Sequence, residues 1–305
     1  MKKVIIISDE SYIGGAKLVN QRIIDEGTKQ GYDVGMYTYG MFELKHTVKF
    51  EPPKADFYII ANYGYVPSEE LIRFCVNNKD KYARFFHDIP NFIAQIPSSF
   101  HIEAENTMKI MLDNAAIIFM ISPMQFGVVQ HRIPFDEKKV TIFPPPLNIG
   151  DFSDLKKKRL PNSWLYLGDI SPARGIIKSI SIAISQKAKY FIMAGPEATS
   201  GFTQDIIKHY SDKIDITYLG ELPHEQVNAV MNRYTNFIYT PEMYDSFCLK
   251  IFEAKAAGMK IFVDNKRIGL YSYKDDYDFE DGLRNSDKLI WKRIKDILEP
   301  TKPSQ

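Results

Sequence analysis

The sequence predicts an α/β protein built from two doubly wound, Rossmann-like domains, and three observations carry that expectation. Short Val/Ile-rich runs without polar alternation recur between helix-length amphipathic segments, which is the pattern of a parallel sheet covered on both faces. The rhythm breaks once, at Phe143-Pro144-Pro145-Pro146-Leu147, where proline can continue neither a helix nor a central strand. It then restarts with a fresh strand ending in glycine, Ser163 to Gly168. Two such domains joined by a hinge are expected to face a central cleft, with ligand bound beyond the carboxyl ends of the strands.

Taken in order, Lys3 to Ser8 reads as a buried strand. Gly14 and Gly15 follow, and Leu18, Val19, Ile23 and Ile24 recur at helical spacing over Ala16 to Lys29. Gly31 stops that helix before a strand at Asp33 to Tyr37. The pattern continues with strand Asp56 to Ala61, helix Glu69 to Asn77, strand Tyr82 to His87, helix Thr107 to Asn114, strand Ala116 to Ile121, helix Pro123 to Arg132 and strand Val140 to Phe143. Beyond the prolines, a basic run from Lys156 to Arg159 reads as a solvated stretch. Helices are expected at Ile176 to Gln186, Thr203 to Tyr210, Glu225 to Tyr234 and Leu249 to Ala257. Strands are expected at Tyr190 to Ala194, Ile214 to Leu219, Asn236 to Thr240 and Lys260 to Val263. Tyr271 to Asn285 lacks periodicity, and Asp287 to Leu298 reads as a final amphipathic helix. The expected division is 1–147, 148–286, and a terminal helix and tail, 287–305, which carries Trp291 back to the first domain.

Composition excludes several classes. Hydrophobic residues make up 45% and charged residues 25%, ordinary values for a folded globular chain. Lysine and arginine total 39 against 38 acids, so the chain as a whole has no electrostatic preference for nucleic acid or anionic lipid. Only Lys156 to Arg159 forms a dense basic cluster. Cys75 and Cys248 lie far apart with no metal-ligand spacing, which argues against a disulfide scaffold and against zinc. The apolar run Val4 to Ile7 is shorter than a signal-peptide core and is followed by Asp9 and Glu10. No apolar stretch approaches the roughly 18 residues a membrane helix needs. A cytoplasmic protein is expected.

The stretch most suggestive of chemistry is MYDSFCLKIFEAKAAG, Met243 to Gly258. Asp245 precedes the expected helix and Glu253 lies one turn into it. The first N–H groups of that turn, at Phe247, Cys248 and Leu249, form an anion site suited to phosphate. The flanking acids can accept hydrogen bonds from sugar hydroxyls. The same residues are equally readable as a helix cap worth about 1 kcal/mol and a solvent-facing acid. No strand is followed by GxGxxG, which disfavours a nicotinamide oxidoreductase.

Pro241 to Gly258 resembles the E-x7-E signature of retaining glycosyltransferases of the GT-B fold, family 4 type (group 1 glycosyltransferases), with Asp245 in place of the first glutamate. Further segments match that family in order along the chain. They are Gly14-Gly15, His87-Asp88, Ser122, Pro144-Pro145, Leu167-Gly168 to Arg174-Gly175, Met193 to Pro196 and Leu219 to Leu222. The resemblance implies transfer of a sugar from a UDP- or GDP-sugar to an acceptor with retention of configuration, the acceptor held by the first domain and the donor by the second. It implies that Glu253 holds the ribose, that Asp245 approaches donor sugar hydroxyls, and that the backbone of Phe247, Cys248 and Leu249 touches the diphosphate. Gly14, Gly15 and Gly168 would let backbone approach the ligand, and His87 would lie beside the sugar.

Arg174 stands at the family's phosphate-binding lysine, and a guanidinium keeps the charge while changing the geometry. Asp169, however, stands where the family has a second phosphate-binding arginine. Either another base then substitutes, with Lys178 and Lys17 as the candidates, or a divalent ion bridges, or activity is weak. No tightly bound cofactor and no protein metal site are implied. A noncatalytic nucleotide-sugar-binding protein is the alternative. Glycan, lipid, protein, small molecule and modified nucleic-acid base all remain open as acceptors.

Overall fold

The structure, a computed structural model, describes residues 1–8, 15–38, 50–62, 68–90, 99–147, 149–197, 199–275 and 277–300. The chain forms two compact units, Met1–Leu147 with Ser272–Gln305, and Asn148–Tyr271.

The first unit begins with β1 (Lys3–Ile7), α1 (Gly15–Lys29), β2 (Asp33–Tyr37), β3 (Phe57–Ile60), α2 (Ser68–Asn77) and β4 (Tyr82–Phe85). It continues with α3 (Ser99–Asn114), β5 (Ile117–Met120), α4 (Pro123–Arg132) and β6 (Val140–Ile142). All strand pairs are parallel, in the order β2-β1-β3-β4-β5-β6. Val4, Ile6, Ile59, Ile60, Phe85 and Phe119 are buried, as continuous apolar strands between two helical layers must be. At α4, the hydroxyl of Ser122 accepts from the Gln125 N–H and Pro123 occupies the first turn, so the start of this helix is written locally.

The second unit comprises β7 (Leu160–Leu167), α5 (Ile176–Ser185), β8 (Tyr190–Ala194), α6 (Phe202–Tyr210) and β9 (Asp215–Tyr218). It continues with α7 (His224–Met231), β10 (Tyr234–Tyr239), α8 (Lys250–Ala256) and β11 (Lys260–Val263). Its sheet is parallel, in the order β11-β10-β7-β8-β9. Counted from its first strand this is the doubly wound order 3-2-1-4-5, whose topological switch point lies between β7 and β10. The expected α/β class with two parallel sheets is thus the observed one.

The last helix, α9 (Phe279–Leu298), belongs to the first unit. It starts eight residues before the expected Asp287, where the carboxylate of Asp278 accepts from the Asp281 N–H. Trp291 is fully buried; its indole N–H donates to the Ile23 carbonyl at 2.7 Å and its ring stacks on Tyr32 at 4.8 Å. Gly27 makes room for it, since a β-carbon there would lie 1.9 Å from the indole. Arg22 on α1 pairs with Asp287 at 3.0 Å. Leu147 N–H donates to Leu283 O and Tyr273 OH to Ile121 O, so residues from Ser272 onward pack within this unit rather than continuing the second to residue 286.

Two helix boundaries show further differences from expectation. α3 begins at Ser99, eight residues before the expected Thr107. α7 stops at Met231, where the buried Asn232 amide donates to Asn228 O and Ser153 O, and Tyr234 opens β10.

Candidate functional site

In the second unit, the segments leaving β7 and β10 place charged side chains together at the switch point. The loop after β10 is pinned on both sides. Glu242 and Met243 N–H groups donate to Ala173 O, Asp245 N–H donates to Arg267 O, and Gly269 N–H donates to Asp245 O. Thr240 and Ser179 hydroxyls meet at 2.8 Å beneath it. Asp245 therefore holds a fixed position, and its carboxylate is well used: Oδ2 accepts from Tyr239 OH at 2.7 Å and faces Arg174 Nη1 at 3.4 Å, while Oδ1 accepts from the Phe247 N–H at 3.1 Å.

That last bond corrects the expectation for Phe247, whose N–H is already committed to Asp245. Phe247 is instead a buried ring stacked on Phe252. The N–H groups of Cys248 and Leu249 have no partner among the described residues. Cys248 adopts φ +64°, a left-handed conformation uncommon for a residue with a β-carbon. Burial raises its thiol well above the usual range; Asp245 and Glu253 add to this, while Lys250 and Arg174 oppose it. Regular helix then starts at Lys250, with the carbonyls of Cys248 and Leu249 accepting from Ile251 and Phe252.

Glu253 does not face solvent. It is only 6% exposed, and no hydrogen bond to its carboxylate exists among the described residues. Burial pushes the carboxyl up from 4.5 to about 7, against the lowering effect of the nearby Lys250 charge.

Arg174 lies between two acids, 3.6 Å from Asp169 Oδ2 and 3.4 Å from Asp245 Oδ2. Its backbone is fixed too: the Tyr166 hydroxyl bonds the carbonyls of Asp169 and Arg174. Lys178, expected to replace the missing arginine, is spent elsewhere, 2.7 Å from Asp264 and 4.0 Å from Glu242. Lys17 is exposed on α1 of the first unit. Lys250, which sequence reasoning did not single out, brings a further cation to the end of β7. Gly168, at φ +139°, lies so near it that a β-carbon there would be 3.0 Å from Lys250 Nζ. Glu197, after β8, turns back to accept from the Gly201 and Thr203 N–H groups and the Thr203 hydroxyl, a structural cap.

His87 lies in the first unit, just past β4. Its Nε2 is 2.9 Å from Asn20 Oδ1, and Asn20 Nδ2 donates to Ser8 Oγ at 3.2 Å. An amide oxygen only accepts, so Nε2 carries the proton and donates. Burial, helped by the Arg84 charge, lowers the ring from 6.5 to about 3 and keeps it neutral. Arg84 donates from Nη1 to the carbonyls of Ile60, Ala61 and Phe85 and lies 4.2 Å over the Phe86 ring. Gly15 starts α1; Gly14 lies outside the described residues. Among the described residues, no three His, Cys, Asp or Glu side chains gather into a group able to hold a metal ion. No described helix is long and apolar enough to cross a membrane.

Solved structures share this architecture over nearly the whole chain. Sucrose-phosphate synthase of Thermosynechococcus elongatus matches with a TM-score of 0.67 at 16% identity, covering 98% of this chain and 92% of that one. A glycosyltransferase from Rickettsia africae matches with 0.68 at 12% identity, covering 98% and 99%. HepE of Anabaena, solved with UDP-glucose, matches with 0.66 at 12% identity, covering 98% and 92%. The fold is GT-B. No protein-family model and no curated protein matches the sequence. Within the GT-B framework the second unit's cluster spans the ends of β7 and β10, whereas His87 belongs to the first unit's sheet.

Proposed function

We propose that the protein is a glycosyltransferase that takes a sugar from a nucleoside diphosphate sugar, with a UDP-sugar as the first candidate, and transfers it with retention of configuration. The observation that carries this reading is Glu253. A carboxylate largely withdrawn from water, with no hydrogen-bond partner among the described residues, is costly unless something supplies donors, and it sits at the switch point where doubly wound sheets bind ligands. Two ribose hydroxyls would supply those donors. That HepE was solved with UDP-glucose supports the donor class.

In this reading the remaining residues divide the work. The Cys248 and Leu249 N–H groups, together with Arg174, meet the diphosphate as it departs, and preorganised donors aimed at developing charge are usually the largest catalytic term. Asp245 has one acceptor direction left on Oδ1 after its three bonds, enough for a single sugar hydroxyl. His87, neutral and already donating to Asn20, is a positioning group rather than a base, and the donor phosphate takes the acceptor proton. The first unit would hold the acceptor.

A second reading, a nucleotide-sugar binder without turnover, draws on the two acids that share Arg174. One experiment addresses both. In a thermal-shift series with UDP-glucose, GDP-mannose and their nucleosides, a donor near 100 times its Kd should add about 2.7 kcal/mol to stability. Glu253→Ala should weaken that donor about 100-fold, two charge-assisted hydrogen bonds' worth. Slow release of free sugar from the bound donor separates an enzyme from a binder. If no nucleotide sugar shifts the melt, the donor reading fails.

A further inference from the structure

Among the described cations that line the ends of β7 and β10, Lys250 has no acidic partner. Arg174 is shared by Asp169 and Asp245, Lys178 is held by Asp264, and Arg267 Nη1 lies 3.8 Å from Glu242. The ammonium of Lys250 has no hydrogen bond or ion pair among the described residues, yet it is only half exposed. It stands directly against Gly168, where β7 ends, on the same turn as the open Cys248 and Leu249 N–H groups. Its charge is felt by Glu253, the buried carboxylate that also has no hydrogen-bond partner.

An unfilled cation and an unfilled acid on one helical turn, beside Arg174, Lys178 and Arg267 that are each paired with acids, describe a ligand with complementary parts: an anionic group for one and hydroxyl donors for the other. A nucleoside diphosphate has both, with its phosphates and its ribose a few bonds apart. We propose that Lys250 is the principal diphosphate-binding cation of this protein, supplying from α8 the charge that Asp169 withholds from the loop after β7. The assignment rests on the donor reading above and goes beyond it, because the cation comes from the turn that also carries Glu253. Lys250 would then grip the diphosphate both in the bound donor and as the leaving group. A lysine offers a point charge rather than a planar fork, so it can follow the phosphate as charge builds on it.

Isothermal titration of the wild type, Lys250→Met and Lys250→Arg tests this with UDP, GDP and ADP and with uridine, guanosine and adenosine. Lys250→Met should weaken the preferred diphosphate at least tenfold and leave its nucleoside within twofold, and should flatten the salt dependence of diphosphate binding. Lys250→Arg should recover most of the loss and shows that the position tolerates change. Equal loss of diphosphate and nucleoside, no loss in Lys250→Met, or an arginine variant as weak as the methionine variant overturns the assignment while leaving the donor reading intact. A wild type that binds none of the three diphosphates overturns both.

Discussion

Each unit gathers buried polar side chains at the carboxyl ends of its strands, and the two clusters are completed to different degrees. In the first, Ser8, Asn20 and His87 form a closed chain of hydrogen bonds around a neutral ring. In the second, Asp245 is held by three donors, but the side chains of Glu253 and Lys250, on the same turn and a half of helix, make no hydrogen bond among the described residues. A satisfied cluster fixes geometry; an unsatisfied one waits for a ligand. The contrast assigns positioning to the first unit's cluster and ligand binding to the second's.

The contrast can be broken most strongly with acid. His87 is neutral in the folded chain down to about pH 3, whereas the unfolded ring takes a proton near 6.5. The unfolded state therefore binds more protons in that window, so stability is complete above pH 6.5 and falls as pH drops toward 3, by up to about 5 kcal/mol. His87→Gln should flatten this acid branch in calorimetry between pH 7 and 4; an unchanged slope would count against a buried neutral histidine.

Glu253 should behave with the opposite sign. Its folded carboxyl keeps a proton up to about 7, while the unfolded one loses it above 4.5. Stability then falls as pH rises through 4.5 to 7, by about 3 kcal/mol. Glu253→Gln should be more stable than the wild type at pH 8 and equal to it below pH 4.5, and a destabilised variant at pH 8 would mean that the carboxylate has donors after all.

Smaller effects sharpen the picture within the second unit. Asp169→Asn frees Arg174 from one of its two acids; because Asp169 is 55% exposed, the expected gain in UDP affinity is modest, about three- to tenfold by titration. An affinity that drops would show Asp169 to be part of the ligand site. Cys248→Gly relieves a left-handed φ of +64°, and glycine's own entropy cost leaves a net gain of about 0.5 kcal/mol, a rise in Tm of about two degrees at most. A fall in Tm would mean that the thiol's packing outweighs the strain.

Both sheets were legible because runs such as Val4 to Ile7 and Phe191 to Ala194 are apolar without alternation, and that property is local. Helix starts were legible where the cap is local, as at Ser122, and were missed in α9, whose early turns carry acids and Gly282 and reveal no stripe until Leu283, Ile290 and Trp291. In the site, the identities of Asp245, Glu253 and Arg174 as charged residues near a strand end could be read in advance; their partners could not. The approach of Lys250 to Gly168 spans 82 positions, and the pairing of Lys178 with Asp264 spans 86. Such pairings depend on strand order, which the positions of lysines along the sequence do not reveal.

The return of α9 to the first unit also bears on the order in which the chain can assemble. Residues 148–271 form one uninterrupted unit, whereas the first unit is split around them and lacks Trp291 and its stack on Tyr32 until α9 is made. During synthesis from the amino terminus, the segment made first cannot be completed first. The second unit can close its core while the first still has α1 uncovered at Ile23 and Gly27, and α9 acts as the closing piece.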